Sequence, residues 1–253
     1  MIRNKIARLV ITDWQGKPIG ILTGRDVIRV LLTRTSTTPV DQIPVRAAMT
    51  KNPISLDASA SMKNACSLMI SKKISSLIVV DEFGKISGMV TKSDVCKYLA
   101  YFSETNIAVS DYMSKKPVTI GPNHSVFTAA NILAVMGFTR LVVVDDENRP
   151  IGIVTLTDLV SAGAAILPSV KATGRSAVTK GSLVPSGMLP TLLVRNVMTH
   201  EPFVISEMED IVDAARLMMK HSISGLPVVD EQGKLSGIIT KTDIVKAVSD
   251  IKE

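Results

Sequence analysis

The sequence predicts an α/β protein built from tandem β-α-β-β-α repeats. Two observations lead to that fold class. A strand-to-helix phrase recurs at Gly20–Asp26, Gly88–Asp94, Gly152–Asp158 and Gly237–Asp243, each time with a Thr three residues before the Asp. Met49, Met113 and Met198 each stand 45 residues before the Asp of the last three phrases, and each opens a Met-[Thr/Ser]-x-x-Pro motif. Three copies in gapless register across the same 45-residue span are the mark of a repeat architecture.

Within a repeat each element has a local cause. After the Pro comes a short extended stretch: Ile54-Ser55-Leu56, Val118-Thr119-Ile120, Phe203-Val204-Ile205. Ser61, Ser125 and Asp210 follow in one column and are strong N-cap residues, so each starts a helix. In repeat 2, Met62, Ala65, Cys66 and Met69 fall at i, i+3, i+4 and i+7, an apolar stripe that faces a core. The runs Leu77–Val80, Leu141–Val144 and Leu226–Val229 read as strands buried on both faces. Each ends in a four-residue turn whose fourth place is Gly84, Asn148 or Gly233, residues that tolerate a positive φ. A returning strand carries the Gly of the recurrent phrase. The closing helices are expected over Ser93–Ala100, Thr157–Ala162 and Thr242–Val248.

The repeats are expected at 1–33, 49–102, 113–163 and 198–251, with a polar, Gly/Ser-rich linker at 164–196 whose middle has no apolar period. The first repeat is incomplete: Met1–Gly16 aligns with Met69–Gly84. The spacing puts about 20 residues of it upstream of Met1. A half-repeat leaves apolar surface uncovered, which favours a truncated sequence over a natural half-unit.

Composition narrows the function classes. The 253 residues are 46% apolar, 21% charged and 4% aromatic, with a net charge of +6. Such a chain buries an aliphatic core and offers few stacking platforms for nucleic-acid bases. Its Lys and Arg form no run of five, so a nucleic-acid partner is not expected. No secretory leader and no apolar stretch of 18 residues is present, so the expected location is cytoplasmic with no membrane partner. Cys66 and Cys96 fall on apolar helix positions and are expected to be buried free thiols. His124, His200 and His221 lie apart from one another and from any Cys at metal-ligand spacing. There is no Walker motif and no nucleophile elbow. Trp14 is expected in an exposed hairpin turn.

Met-Thr-x-x-Pro, the amphipathic helix, His221-Ser-Ile-Ser-Gly-Leu-Pro-Val-Val-Asp230 and Thr240-Lys-Thr-Asp243 resemble the cystathionine-β-synthase (CBS) domain family. The segment from Phe138-Thr139-Arg140 to Thr155-Leu156-Thr157-Asp158 is similar to a nucleotide-binding repeat of the γ subunit of AMP-activated protein kinase. The resemblance covers nearly the whole chain outside the linker. It implies intertwined pairs of repeats (Bateman modules) stacked into a disc, with clefts that bind adenosine ligands such as AMP, ADP, ATP or S-adenosylmethionine. It implies no catalysis and no catalytic cofactor, only an adenine nucleotide as regulatory ligand. The chain carries no effector domain of its own, so the expected partner is a second copy, as a homodimer, or a separate effector protein.

The resemblance also assigns residues. The stretch after Pro would hold the base through Ile54, Val118 and Phe203. The ribose would sit on Thr23 and Asp26, Thr91 and Asp94, Thr155 and Asp158, or Thr240 and Asp243, with Ser93, Thr157 and Thr242 adding a second hydroxyl. Arg8 and Arg140 share the column where the kinase subunit carries a phosphate-binding Arg, whereas repeats 2 and 4 have Ser76 and Gly225 there. Phosphate-competent clefts are therefore expected at repeats 1 and 3, and above all on Asp158 with Arg140; a partner repeat could lend a cation to the others. Arg25 replaces the second hydroxyl in repeat 1, to neutralise Asp26 or to reach a phosphate. A plainer reading of the same residues stands beside this one. Thr-x-x-Asp before an apolar helix is a capping box, and four such boxes could serve stability alone, in a structural scaffold.

Overall fold

The computed structural model describes residues 6–24, 26–27, 30, 42–102, 104–159, 161–162 and 192–251. Of the expected linker at 164–196, residues 164–191 lie outside the described residues, as do Arg25 and most of the closing helix of repeat 1, whereas 192–196 are described and Val194–Asn196 form a 3-10 turn. The chain divides into two compact units, Met1–Val95 with Val245–Glu253, and Cys96–Ile244. The first contains the hairpins of repeats 1 and 2, and the second those of repeats 3 and 4.

Each repeat centres on an antiparallel hairpin: β1 (Arg8–Thr12) with β2 (Pro18–Thr23), β5 (Ser76–Val80) with β6 (Ile86–Thr91), β9 (Arg140–Val144) with β10 (Pro150–Thr155), and β13 (Gly225–Val229) with β14 (Leu235–Thr240). The turns share one device. Asp13, Asp81, Asp145 and Asp230 each accept the backbone N–H groups two and four residues on, at 2.8–3.0 Å. The fourth turn residue has the positive φ expected, including Asn148 at 62°. The post-Pro stretches form β4 (Ser55–Asp57), β8 (Thr119–Ile120) and β12 (Ile205–Ser206), which run parallel to β5, β9 and β13.

The opening helices Met62–Ser71, Val126–Met136 and Ile211–Lys220 start where the capping column predicts. Ser61 Oγ accepts from Asn64 N at 3.2 Å, Ser125 Oγ from Thr128 N at 3.1 Å, and Asp210 Oδ1 from Val212 N at 2.7 Å. The stripe of repeat 2 faces inward, with Ala65, Cys66 and Met69 buried. Repeat 3 builds its core from Ile120, Val126, Ala129, Leu133, Leu141, Val143 and Val154. Two closing helices are described whole, Lys92–Phe102 and Lys241–Asp250. In the second unit the former lies on the opening helix of repeat 4, where Arg216 Nε donates to Ala100 O at 3.2 Å.

One element is an addition to the β-α-β-β-α expectation. The Met-[Thr/Ser] motif forms a two-residue strand of its own, and that strand belongs to the neighbouring repeat. β3 (Thr50–Lys51) of repeat 2 pairs with β2 of repeat 1; β7 (Ser114–Lys115) of repeat 3 pairs with β14 of repeat 4; β11 (Thr199–His200) of repeat 4 pairs with β10 of repeat 3. Repeats 3 and 4 therefore exchange strands reciprocally.

This exchange explains the Gly of the recurrent phrase. Met198 lies directly over Gly152, Met113 over Gly237 and Met49 over Gly20, so a Cβ at any of these glycines would overlap the Met Sδ. Gly88 has no described atom within 4 Å of where its Cβ would lie.

Candidate functional site

All four corners pair a Thr with the Asp three residues on, and in repeats 1 to 3 both halves of the capping box are formed. Asp158 Oδ2 accepts from Thr155 N at 2.8 Å and from Thr155 Oγ1 at 2.6 Å, while Asp158 N donates to Thr155 Oγ1 at 3.3 Å. Thr240 N and Oγ1 donate to Asp243 Oδ2 at 2.8 and 2.7 Å. Thr91 and Asp94 repeat the arrangement at 2.8 and 2.7 Å, and Thr23 and Asp26 at 2.9 and 2.6 Å. Each box satisfies otherwise orphaned N–H groups at a helix start. Of the added hydroxyl residues, Ser93 N and Thr242 N donate to Thr91 Oγ1 and Thr240 Oγ1, both at 3.2 Å. Thr157 is exposed.

The corners differ in what remains of the carboxylate. The corner hydrogen bonds engage Oδ2 alone at Asp94 and Asp158, and among the described residues Oδ1 has no donor there. Asp94 is exposed and Asp158 and Asp243 are half-buried. Asp26 is 7% exposed, and Thr50 Oγ1 of the neighbouring repeat donates to its Oδ1 at 3.4 Å. The corner of repeat 1 is thus closed by its own neighbour. Its lack of solvent access makes it the poorest of the four for an outside donor.

The two column arginines leave their own repeats. Although Arg140 pairs through its backbone with Thr155, its guanidinium reaches repeat 4, donating from Nη2 to Ser224 Oγ at 2.8 Å. It lies over Gly225, where a Cβ would stand 2.5 Å from Arg140 Nη1. Gly225 is the cross-strand partner of Thr240, so Arg140 flanks the corner of repeat 4. Arg8 does the same in the first unit: Nη1 donates to Ser75 O at 3.2 Å, beside Ser76, the cross-strand partner of Thr91. Burial lowers the pKa of both guanidinium groups, opposed by Asp94 for Arg8 and by Asp243 for Arg140. The resemblance predicts Arg140 beside Asp158; its guanidinium instead lies against Ser224 and Gly225 of repeat 4. In each unit the odd repeat's Arg stands at the even repeat's corner, because the small residue in that column of the even repeat leaves room for it.

Of the expected base-holding residues, Ile54 is half-buried, while Val118 and Phe203 are 37% and 48% exposed. Phe203 stacks on His221 with ring centroids 3.7 Å apart. Sequence reasoning missed His221 and Ser224 as neighbours of these groups. A large residue against a small one in the Arg140/Gly225 column was the available signal. The thiols of Cys66 and Cys96 are free and buried, and burial pushes both up to about 11. Among the described residues no helix is long and apolar enough to cross a membrane.

Comparison with known proteins covers the same repeats. The profile of the CBS domain matches residues 45–101, 109–165 and 194–250. An uncharacterised protein of Methanocaldococcus jannaschii is 27% identical over 259 residues, covering 97% of this chain and 89% of that protein. Its solved structure superimposes with a TM-score of 0.72 at 22% identity, over 98% of this chain and 90% of the other. A second uncharacterised M. jannaschii protein is 33% identical over 181 residues, 69% of this chain, which spans only 40% of that protein's length. The structure of CBSX2, an Arabidopsis thaliana CBS-domain protein, in complex with AMP aligns over 58% of this chain and 98% of that one, with 29% identity and a TM-score of 0.46.

Proposed function

The chain belongs to the CBS-domain family, and on that premise we propose that it is a non-catalytic regulatory module for an adenosine nucleotide or derivative. The ligand occupies clefts between paired repeats and signals by shifting their arrangement. The observation that carries this reading is the crossing of Arg140 to the corner of repeat 4, and of Arg8 to that of repeat 2.

The chemistry follows from the residue types. A carboxylate at a helix start repels phosphate, yet it can accept two hydrogen bonds from a vicinal diol. The corner therefore suits a ribose, and the phosphate needs a separate cation. Arg supplies that cation with two parallel donors. In repeat 4 the working set is Thr240, Asp243, Thr242, Ser224 and Arg140; in repeat 2 it is Thr91, Asp94, Ser93 and Arg8. The corner of repeat 3, Thr155 with Asp158, has the ribose pair with no crossing Arg among the described residues and suits an uncharged or cationic adenosine derivative. Binding signals only if the ligand has different affinity for two arrangements of the repeats.

Titration calorimetry with AMP and with S-adenosylmethionine tests the proposal. Removing one charge-assisted phosphate contact costs about 1.5–3 kcal/mol. Arg140→Ala should thus weaken AMP binding at one site by roughly 10- to 100-fold and leave an uncharged ligand unaffected. AMP binding that ignores both Arg140→Ala and Asp243→Ala sinks the assignment. The scaffold reading is favoured by the Thr–Asp capping pair at all four corners. Under it, Asp158→Ala with Asp243→Ala lowers stability and changes no ligand response.

A further inference from the structure

In a chain that is only 4% aromatic, Tyr98, Tyr101 and Phe102 fall within five positions. All three lie on the closing helix of repeat 2, Lys92–Phe102. That helix has two faces. Val95, Cys96, Leu99 and Ala100 are 0–2% exposed and form the inner one. Part of it lies on the opening helix of repeat 4, where the Cys96 thiol donates to Ala215 O at 3.8 Å and Ala100 O accepts from Arg216 Nε. The outer face carries Lys97 and the three rings. Tyr98, Tyr101 and Phe102 are 41%, 63% and 75% exposed.

Helical spacing puts these residues side by side, since positions three and four apart share a face. The fold does not require rings there. In the closing helix of repeat 4 the columns of Tyr98 and Tyr101 hold Ala247 and Asp250. Nor is the bare face the seat of another element of its own repeat: β4, the opening helix, β5, β6 and this helix are all described. The rings are ordered against each other as well. Tyr98 and Phe102 stack with centroids 6.1 Å apart, and a pre-set pair loses little freedom when it is covered.

The charges beside the rings indicate what covers them. Lys97 stands one turn before Tyr101, and Glu104 follows just past the end of the helix; both are exposed. Among the described residues neither forms an ion pair. The order Lys97, rings, Glu104 is complementary to itself. Two such helices that meet antiparallel, about a two-fold axis near Tyr101, set Lys97 of each copy against Glu104 of the other and bring the rings together between them. A two-fold contact needs one patch that fits itself in this way.

We propose that the outer face of the helix Lys92–Phe102 is a contact surface between two copies of this chain. With about 200 Å² for a whole aromatic side chain, the three rings present roughly 350 Å² per copy. A patch of that size marks an interaction site. Doubled, and with its charged rim, it comes to the lower end of specific interfaces, so the dimer is concentration-dependent and not obligate.

Sedimentation velocity of the full chain, from micromolar to sub-millimolar concentration, tests the proposal. The expected result is a sedimentation coefficient that rises from the monomer value to the dimer value. Tyr101→Asp should move the midpoint at least about 10-fold upward, because the change acts on both sides of the axis. Val135→Asp, at a position 81% exposed on the opening helix of repeat 3, should leave it unchanged. Lys97→Glu and Glu104→Lys should each weaken association by roughly 3-fold or more. An equimolar mixture of those two variants should regain it, since only the mixed pair sets opposite charges at both ends. A chain that stays monomeric throughout, association that survives Tyr101→Asp, or a mixture no stronger than its separate components overturns the proposal.

Discussion

Gly152→Ala is the most direct test of the strand exchange between repeats 3 and 4. The added Cβ would overlap Met198 Sδ and stand 3.0 Å from Met198 Cγ and 3.2 Å from its Cε, so no small rotation of the thioether clears it. Met198 is 9% exposed. It can yield only by leaving its place, which forfeits about 1.5–3 kcal/mol of buried side chain. The alternative is to strain β11 away from β10, and overpacking of this kind costs about 1–3 kcal/mol. Both routes give a loss near 2 kcal/mol. Gly88→Ala is the matched control. It is the same substitution in the same column, where the new methyl meets no described atom within 4 Å. Removing a Gly there should leave stability unchanged or raise it by about 0.5 kcal/mol. Urea titrations followed by circular dichroism measure both. The double variant Gly152→Ala with Met198→Ala should cost less than the sum of its parts, since the two changes share one space. Equal midpoints for Gly152→Ala and Gly88→Ala, or strict additivity in the cycle, would refute the packing argument.

Other outcomes follow from the same structure. Lys116 has φ 53°, in the left-handed region where its column-mate Asn52 also sits at 50°; Lys116→Asn should raise stability by about 0.5 kcal/mol in urea titration, because Asn tolerates that conformation better. Ser125→Ala removes the acceptor for Thr128 N and should cost about 1 kcal/mol. Asp210→Ala should cost more, because Asp210 also accepts from Thr105 Oγ1 at 2.8 Å. Cys66 and Cys96, with pKa values pushed up to about 11 by burial, should resist a thiol reagent at pH 8 in the folded protein and react at once in urea; prompt labelling of either in native buffer would show that its helix is not packed as described.

What the sequence revealed and what it withheld divide along a physical line. The caps at Ser61, Ser125 and Asp210, the Asp-led turns and the burial of Cys66 and Met69 were legible because each depends on chemistry within a few residues. The two-residue strands β3, β7 and β11 were not. Two residues carry no period, and their partner lies in another repeat. The Gly of the recurrent phrase stood out in the sequence, but its cause did not, since that cause is a Met far away in the chain. The direction of Arg140 was hidden for the same reason. Its column pointed to phosphate chemistry, yet only the fold shows that the vacancy at Gly225, rather than the neighbouring Thr155, receives the guanidinium.

The crossing of Arg140 also bears on how cap and site can coexist in one set of residues. At Asp158 the cap bonds use Oδ2, so the stabilising function and the capacity to accept a diol draw on different oxygens. Repeat 1 shows the alternative, where Thr50 takes Oδ1 and burial closes the corner. Stability alone would be served equally by four closed corners. Instead the odd repeats send an Arg to the even corners, and burial of that Arg costs solvation that Ser224 and Asp243 offset only in part. An anionic ligand would add to the counter-charge that Asp243 provides. A ligand-free protein should therefore become more stable when Arg140 is replaced by Met, while the same change weakens AMP binding. A loss of stability in Arg140→Met of more than about 1 kcal/mol by urea titration would instead make Arg140 a structural tie between repeats and remove the electrostatic case for the site.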